Sequence, residues 1–186
     1  MSNLISNTAE ELLKALKKAD DKKREELAKS VHKHSLNAAG LGLIPVPFAD
    51  MAAMTINVWH MYVKINNILG ISFKENALKS IASAAIANIS GNILAAGLAN
   101  ILKAVPGANI HAMVIAAGTN YGICYSSAWV YLQVLTTVAK NNNGSINLDD
   151  IPNKTLERYV KDNKRLQKDV AKDAKSDYAK AHKDDK

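Results

Sequence analysis

Few residues in this chain are of a type and spacing that could do chemistry. Cys124 is the single cysteine among 186 residues, which rules out an internal disulfide and suits a reducing compartment. No basic residue stands near it in sequence to draw the thiol toward thiolate, so it reads as an inert buried thiol rather than a nucleophile. His32 and His34 are two apart, a spacing that turns them to different faces of a helix and makes a poor metal clamp. His60 and Lys64 fall on or beside a polar helix face, and His111, five residues past Pro106, marks a turn. Gly40-Leu-Gly42 lacks the third glycine of a dinucleotide fingerprint, because Pro45 stands there and no strand precedes it. The sequence holds no phosphate loop ending Gly-Lys-[Ser/Thr], no His-Glu-x-x-His, no Cys/His metal cluster and no carboxylate pair in its hydrophobic region. The expectation is therefore a non-enzyme, with no catalytic residue, no cofactor and no metal. A tight cluster of Asp50, His60 and His111 in the folded chain would reverse it.

Composition points to the elements instead. Apolar residues make up 48% and aromatics only 5%, so the core is built from Ala, Ile, Leu and Gly and should let backbones approach closely. The length is enough for one domain, 1–186, with a real core. It divides into an amphipathic region 1–36, a hydrophobic core 37–140, and an amphipathic helix with a polar tail, 141–186. Net charge is +7, yet acids and bases alternate through both polar ends, as in Asp20-Asp21-Lys22-Lys23-Arg24-Glu25-Glu26. Nucleic acid demands one sign on one face, so that partner is not expected. A weakly cationic protein does favour anionic lipid. Met1 to Thr8 show no basic segment followed by an apolar one, hence no signal peptide is expected.

Between Lys79 and Lys140 the only Lys, Arg, Asp or Glu is Lys103, followed at once by Ala104-Val105-Pro106-Gly107. Proline cannot continue a helix and glycine tolerates the turn, which predicts a long helical hairpin as the centre of an all-α bundle. In its first arm Ser83, Ala87, Gly91, Ala95 and Ala99 recur every fourth residue, a groove of small side chains by which helices approach. Beside it runs a polar line, Asn88, Asn92 and Asn100, whose amides must find partners in a neighbouring helix, a crevice or solvent. The second arm, about 108 to 140, carries Gly118, Gly122 and Ser126 at the same spacing, with Tyr121, Tyr125 and Trp129 as an aromatic ridge. The expectation is that each arm's groove receives the other arm. A homo-oligomer through Gly118 and Gly122 is the alternative.

The flanks read as helices that cover this hairpin. Thr8-Ala-Glu-Glu11 and Ser72-Phe-Lys-Glu75 are capping-box patterns. Leu12, Leu13, Leu16, Leu27 and Val31 form a stripe interrupted by the charged stretch 20–26. A helix over 47–69 presents Val58, Trp59, Tyr62, Ile65 and Leu69 on one face and stops at Gly70. After Pro152 a single amphipathic helix is predicted through Leu156, Tyr159, Val160, Leu166, Val170 and Tyr178. It is braced by the pairs Glu157–Lys161, Arg158–Asp162 and Arg165–Asp169, each worth about 0.2–0.5 kcal/mol, and frays beyond Lys172.

The run Ala39-Gly-Leu-Gly-Leu-Ile-Pro-Val-Pro-Phe-Ala-Asp50, then Tyr62-Val-Lys-Ile, Gly70 and the two small-residue arms about Lys103-Ala-Val-Pro-Gly107, resembles one bacterial family. It is the uncharacterised helical domain (domain of unknown function 697) often appended to Era-like GTPases and to small inner-membrane proteins. The resemblance covers about residues 37 to 140 and is most specific at Ile44, Pro45, Pro47, Phe48 and Asp50. It implies a helical domain with suspected membrane association and no assigned catalysis. The usual GTPase domain is missing from this chain, which leaves a GTPase partner in trans. Both arms exceed the roughly 20 residues that span a bilayer, and the basic ends place both termini on the cytoplasmic side. The Asn line and the tyrosines deep in the second arm oppose insertion. Taken together, the expectation is a module of the cytoplasm or the cytoplasmic face of the inner membrane, which associates with membrane lipid or with a partner protein. The alternative is a soluble adaptor with no lipid contact.

Overall fold

The computed structural model describes the backbone of residues 2–41, 49–103 and 110–182, and side chains there except at 2, 49–51, 90–103 and 110–112. Within that span the chain forms α1 (Ser2–Ala15), α2 (Asp21–Leu41), α3 (Ala49–Leu69), α4 (Glu75–Lys103), α5 (Ile110–Asn141), α6 (Asn153–Asp162) and α7 (Lys164–Ala181). A short 3-10 turn, Leu148–Asp150, precedes α6. No strand occurs among the described residues, and the all-α bundle expected from helical periodicity is what forms.

Side-chain pairs fix the directions. Glu26 reaches Lys64 and His34 reaches Asn57, so α2 and α3 run antiparallel. Asn57 meets Cys124 and Asn66 meets Tyr131, so α3 runs with α5. Lys140 pairs with Glu11, and Gly144 sits beneath Ala15, which puts the end of α1 beside the end of α5. The backbone N–H of Lys74 donates to Asp149, bringing the start of α4 to that same end.

The bundle centres on one arm rather than on the pair. Every residue from Asn120 to Leu132 is buried, and α5 packs against each of the other six helices. A helix apolar all round must be enclosed, and that segment carries no charge. Helix α4 keeps an outer face at Asn76, Lys79, Ser83 and Ala87, and turns Leu78, Ile81, Ala85 and Ile89 inward. Both arms have the expected length, 29 residues in α4 and 32 in α5, yet among the described residues no helix is long and apolar enough to cross a membrane. In α5 the apolar run is diluted by Thr119, Asn120, Tyr121, Ser126, Ser127 and Gln133.

Three local expectations are corrected. Thr8 does not cap a helix; it lies within α1 and its hydroxyl donates to the Leu4 carbonyl 2.9 Å away, the back-bond open to a helical threonine. Ser72 does not launch α4, which starts at Glu75 where Asp149 accepts the Lys74 N–H at 2.8 Å. The single C-terminal helix is two, broken at Asn163, whose side chain donates to the Tyr159 carbonyl at 2.9 Å and ends α6. Beyond the break α7 stays helical through Lys172 to Ala181. Of the three bracing pairs, Glu157–Lys161 forms at 4.0 Å. Gly70, at φ +66°, stops α3 as expected.

Candidate functional site

The ridge on α5 supplies the centre of the candidate site. Tyr121 and Tyr125 stand one turn apart with ring centroids 5.9 Å apart, both nearly enclosed. Two other helices bring rings to Tyr121: His32 of α2 edge-on at 6.2 Å and Tyr178 of α7 at 5.2 Å, with His182 at the end of α7 stacked on Tyr178. His32 Nδ1 and the Tyr121 hydroxyl share a 3.1 Å hydrogen bond. The Tyr125 hydroxyl meets the Ile5 backbone in the first turns of α1, and burial pushes its pKa up to about 12.

Where α1, α2 and α5 converge on these tyrosines they leave a cleft of about 590 Å³. Its inner wall is Ile5, Ala28, Tyr121 and Tyr125. Its mouth carries charges from the first turns of α2. Arg24 bridges Asp21 at 3.2 Å and Glu10 at 3.6 Å, and Lys29 holds Glu25 at 2.6 Å. Lys22 has no carboxylate within 4 Å among the described residues.

Polar groups elsewhere are spent on joining helices. Asn88 donates to the Val160 carbonyl at 2.9 Å and to Gln167 Oε1 at 3.0 Å, and Gln167 in turn donates to the Ala85 carbonyl at 3.0 Å. This clasp ties α4 to α6 and α7. Tyr62 and Tyr131 stack at 4.0 Å, one donating to the Ser127 carbonyl and the other to Asn66 Oδ1. Cys124 lies between the Asn57 amide at 3.4 Å and Met61 Sδ at 3.9 Å. Burial pushes the thiol up from its ordinary 9.0 to about 12, with Ser35 and Asn57 acting in the opposite sense. The Ser35 hydroxyl itself makes no hydrogen bond of good geometry.

The residues expected to pack or interact separate accordingly. Gly118 and Gly122 do face a helix closely, but that helix is α7 and not α4. A Cβ on Gly122 would overlap the Ala171 carbonyl oxygen, and one on Gly118 would lie 3.3 Å from the Tyr178 ring and 3.4 Å from the Lys175 carbonyl. With α7 seated there, that groove is not open to a second copy of the chain. Ser126 is buried and bonds its own helix at Ile123. Ser83 and Ala87 stand on the exposed face of α4. The side chains of Gly91, Ala95, Ala99, Asn92 and Asn100 lie outside the described residues, as do Ile44, Pro45, Pro47, Phe48 and the Asp50 side chain. So does the side chain of His111, and hence the Asp50, His60 and His111 cluster. His60 is exposed beside Trp59. Gln167, Asn57 and Asn66 were not singled out from sequence. The available signal was an amide at helical spacing within an apolar stripe: Asn66 is four residues past Tyr62, and Gln167 is seven past Val160. No family model, curated protein or solved structure matches this chain.

Proposed function

We propose that this chain is a non-catalytic helical module that docks one end of its bundle on an anionic membrane surface. The observation that carries this reading is the position of its exposed large apolar side chains. Six are exposed among the described residues: Leu4, Leu36, Ile56, Met113, Ile115 and Leu166. The first five lie at or toward the start of α1, the end of α2 and the starts of α3 and α5, which the alternating helix directions gather at one end. Exposed apolar side chains grouped in this way suit a lipid or protein contact. Lys33 of α2 is exposed toward the same end, and a cation near a surface favours anionic lipid by about 1 kcal/mol; Lys180 near the end of α7 is exposed there too, with Asp177 3.9 Å away. The buried, raised Cys124 thiol and the consumed amides support a role in contact rather than chemistry.

Flotation of the purified chain with phosphatidylglycerol-containing and with purely zwitterionic vesicles tests this. Recovery with the anionic vesicles, released by high salt or carbonate, is the expected result. A chain left wholly in the aqueous fraction with both overturns lipid docking. If pull-down from lysate then recovered one stoichiometric protein, the end would serve a soluble adaptor. The GTPase in trans that the family resemblance implies is the first candidate for that partner.

A further inference from the structure

We propose that the cleft between α1, α2 and α5 binds a small amphipathic anion, a medium-chain or aromatic body bearing one carboxylate, sulfonate or phosphate. None of the exposed apolar side chains of the docking end lines the cleft, although Leu4 neighbours Ile5 on α1, and the inference does not depend on that reading. The cleft's volume of about 590 Å³ falls in the range of small-molecule sites, roughly 300–1,000 Å³. Ile5, Tyr121 and Tyr125 floor the cleft with no more than 4% of their surface exposed, and partly buried Ala28 continues this apolar inner wall. The sign of the ligand follows from the mouth. Three cations and two carboxylates line it, and both carboxylates are already engaged, Asp21 by Arg24 and Glu25 by Lys29. Two further carboxylates act from nearby and are engaged as well: Glu10, held by Lys14 at 2.6 Å and by Arg24 at 3.6 Å, and Asp177, whose charge acts on both phenols and which Lys180 approaches at 3.9 Å. Lys22 is left as the cation to meet an incoming charge, and a charge-assisted hydrogen bond there is stronger than a neutral one. Tyr121 and Tyr125 add no opposing charge, because burial raises both phenols and keeps them protonated. The bonded pair of His32 Nδ1 and Tyr121 hydroxyl sets a polar group at the junction of wall and mouth, where an amphipathic ligand changes character.

Fluorescence titration with 8-anilino-1-naphthalenesulfonate is the direct test, with decanoate and decyltrimethylammonium as competitors. One site per chain is expected, displaced by decanoate and at least about tenfold less well by the cationic amphiphile. Lys22→Glu, a change on an exposed side chain, should weaken the probe by about tenfold or more. Ala28→Trp should fill the cleft and abolish binding while the circular dichroism and the vesicle flotation stay as in the parent. Probe bound equally by Ala28→Trp and parent, no effect of Lys22→Glu, equal displacement by the cation, or no binding at all would each overturn the proposal. If Ala28→Trp fails to fold, the charge variant and the competitor pair still decide. Probe binding without flotation removes only the membrane reading, and flotation without probe binding removes only this one.

Discussion

At Gly122 two opposing terms can be weighed on a single methyl group. Alanine in place of a helical glycine gains about 1 kcal/mol in propensity. At Gly122 the added Cβ would run into the Ala171 carbonyl, so α7 must move and the forced shift costs typically 1–3 kcal/mol. At Gly118 the nearest atoms stand 3.3 and 3.4 Å away and the first is a side chain, which can give. Urea unfolding should therefore show Gly122→Ala destabilised and Gly118→Ala close to the parent. Equal effects would mean that the two glycines do not sit as described. Cys124 carries a pH prediction. The fold holds the thiol protonated to about 12, whereas the unfolded chain ionises it near 9.0, so above that pH the unfolded state binds fewer protons. Stability should be unaffected by this group below pH 9 and fall as pH rises from 9 toward 12. The buried phenols of Tyr62 and Tyr131 act in the same direction. Urea midpoints across that window should fall, and less steeply in Cys124→Ala. A thiol reagent at pH 8 should label the native chain far more slowly than the chain in urea.

Between elements, the bundle is keyed by amides as well as by apolar contact. Asn88 and Gln167 satisfy each other and two backbone carbonyls, so removing either one strands buried groups at about 1–3 kcal/mol, while removing both leaves only the two carbonyls, fewer than the two single losses together. Asn88→Leu and Gln167→Leu should each lower stability by about that much, and the double variant by less than their sum. Strict additivity would show that the clasp is not formed. Half of this was legible beforehand. An asparagine among Ala and Ile had to have a partner, and the spacing put Asn88 on a defined face. Which helix answers it was not legible, since a line of small or amide residues states a need for close approach and not the identity of the neighbour. The same gap misassigned Gly118 and Gly122 to α4. The helix over residues 49–69 and its stop were legible because Val58, Tyr62, Ile65 and Leu69 recur at helical spacing and Gly70 accepts a positive φ. The break at Asn163 was hidden because the stripe runs on through Leu166 and Val170, and a side chain bonding back to Tyr159 leaves no mark on periodicity.

For the whole molecule, the central claim is polarity from end to end. The charged loops and pairs, Glu11–Lys140 and Asp149 at the start of α4, belong to one end, and the exposed apolar side chains of α1, α2, α3 and α5 to the other. Composition hinted at this in the low-charge run about Lys103, but the gathering of Leu4, Leu36 and Ile56 with Met113 and Ile115 depends on the helix directions and could not be read from sequence order. Flotation with anionic vesicles of the parent beside the triple variant Ile56→Asp, Met113→Asp, Ile115→Asp tests it most directly. Because all three side chains are 41–55% exposed, the variant should keep the parent's helical circular dichroism. The account predicts that the folded variant stays at the bottom of the gradient while the parent floats. A folded variant that floats as fully as the parent would contradict it.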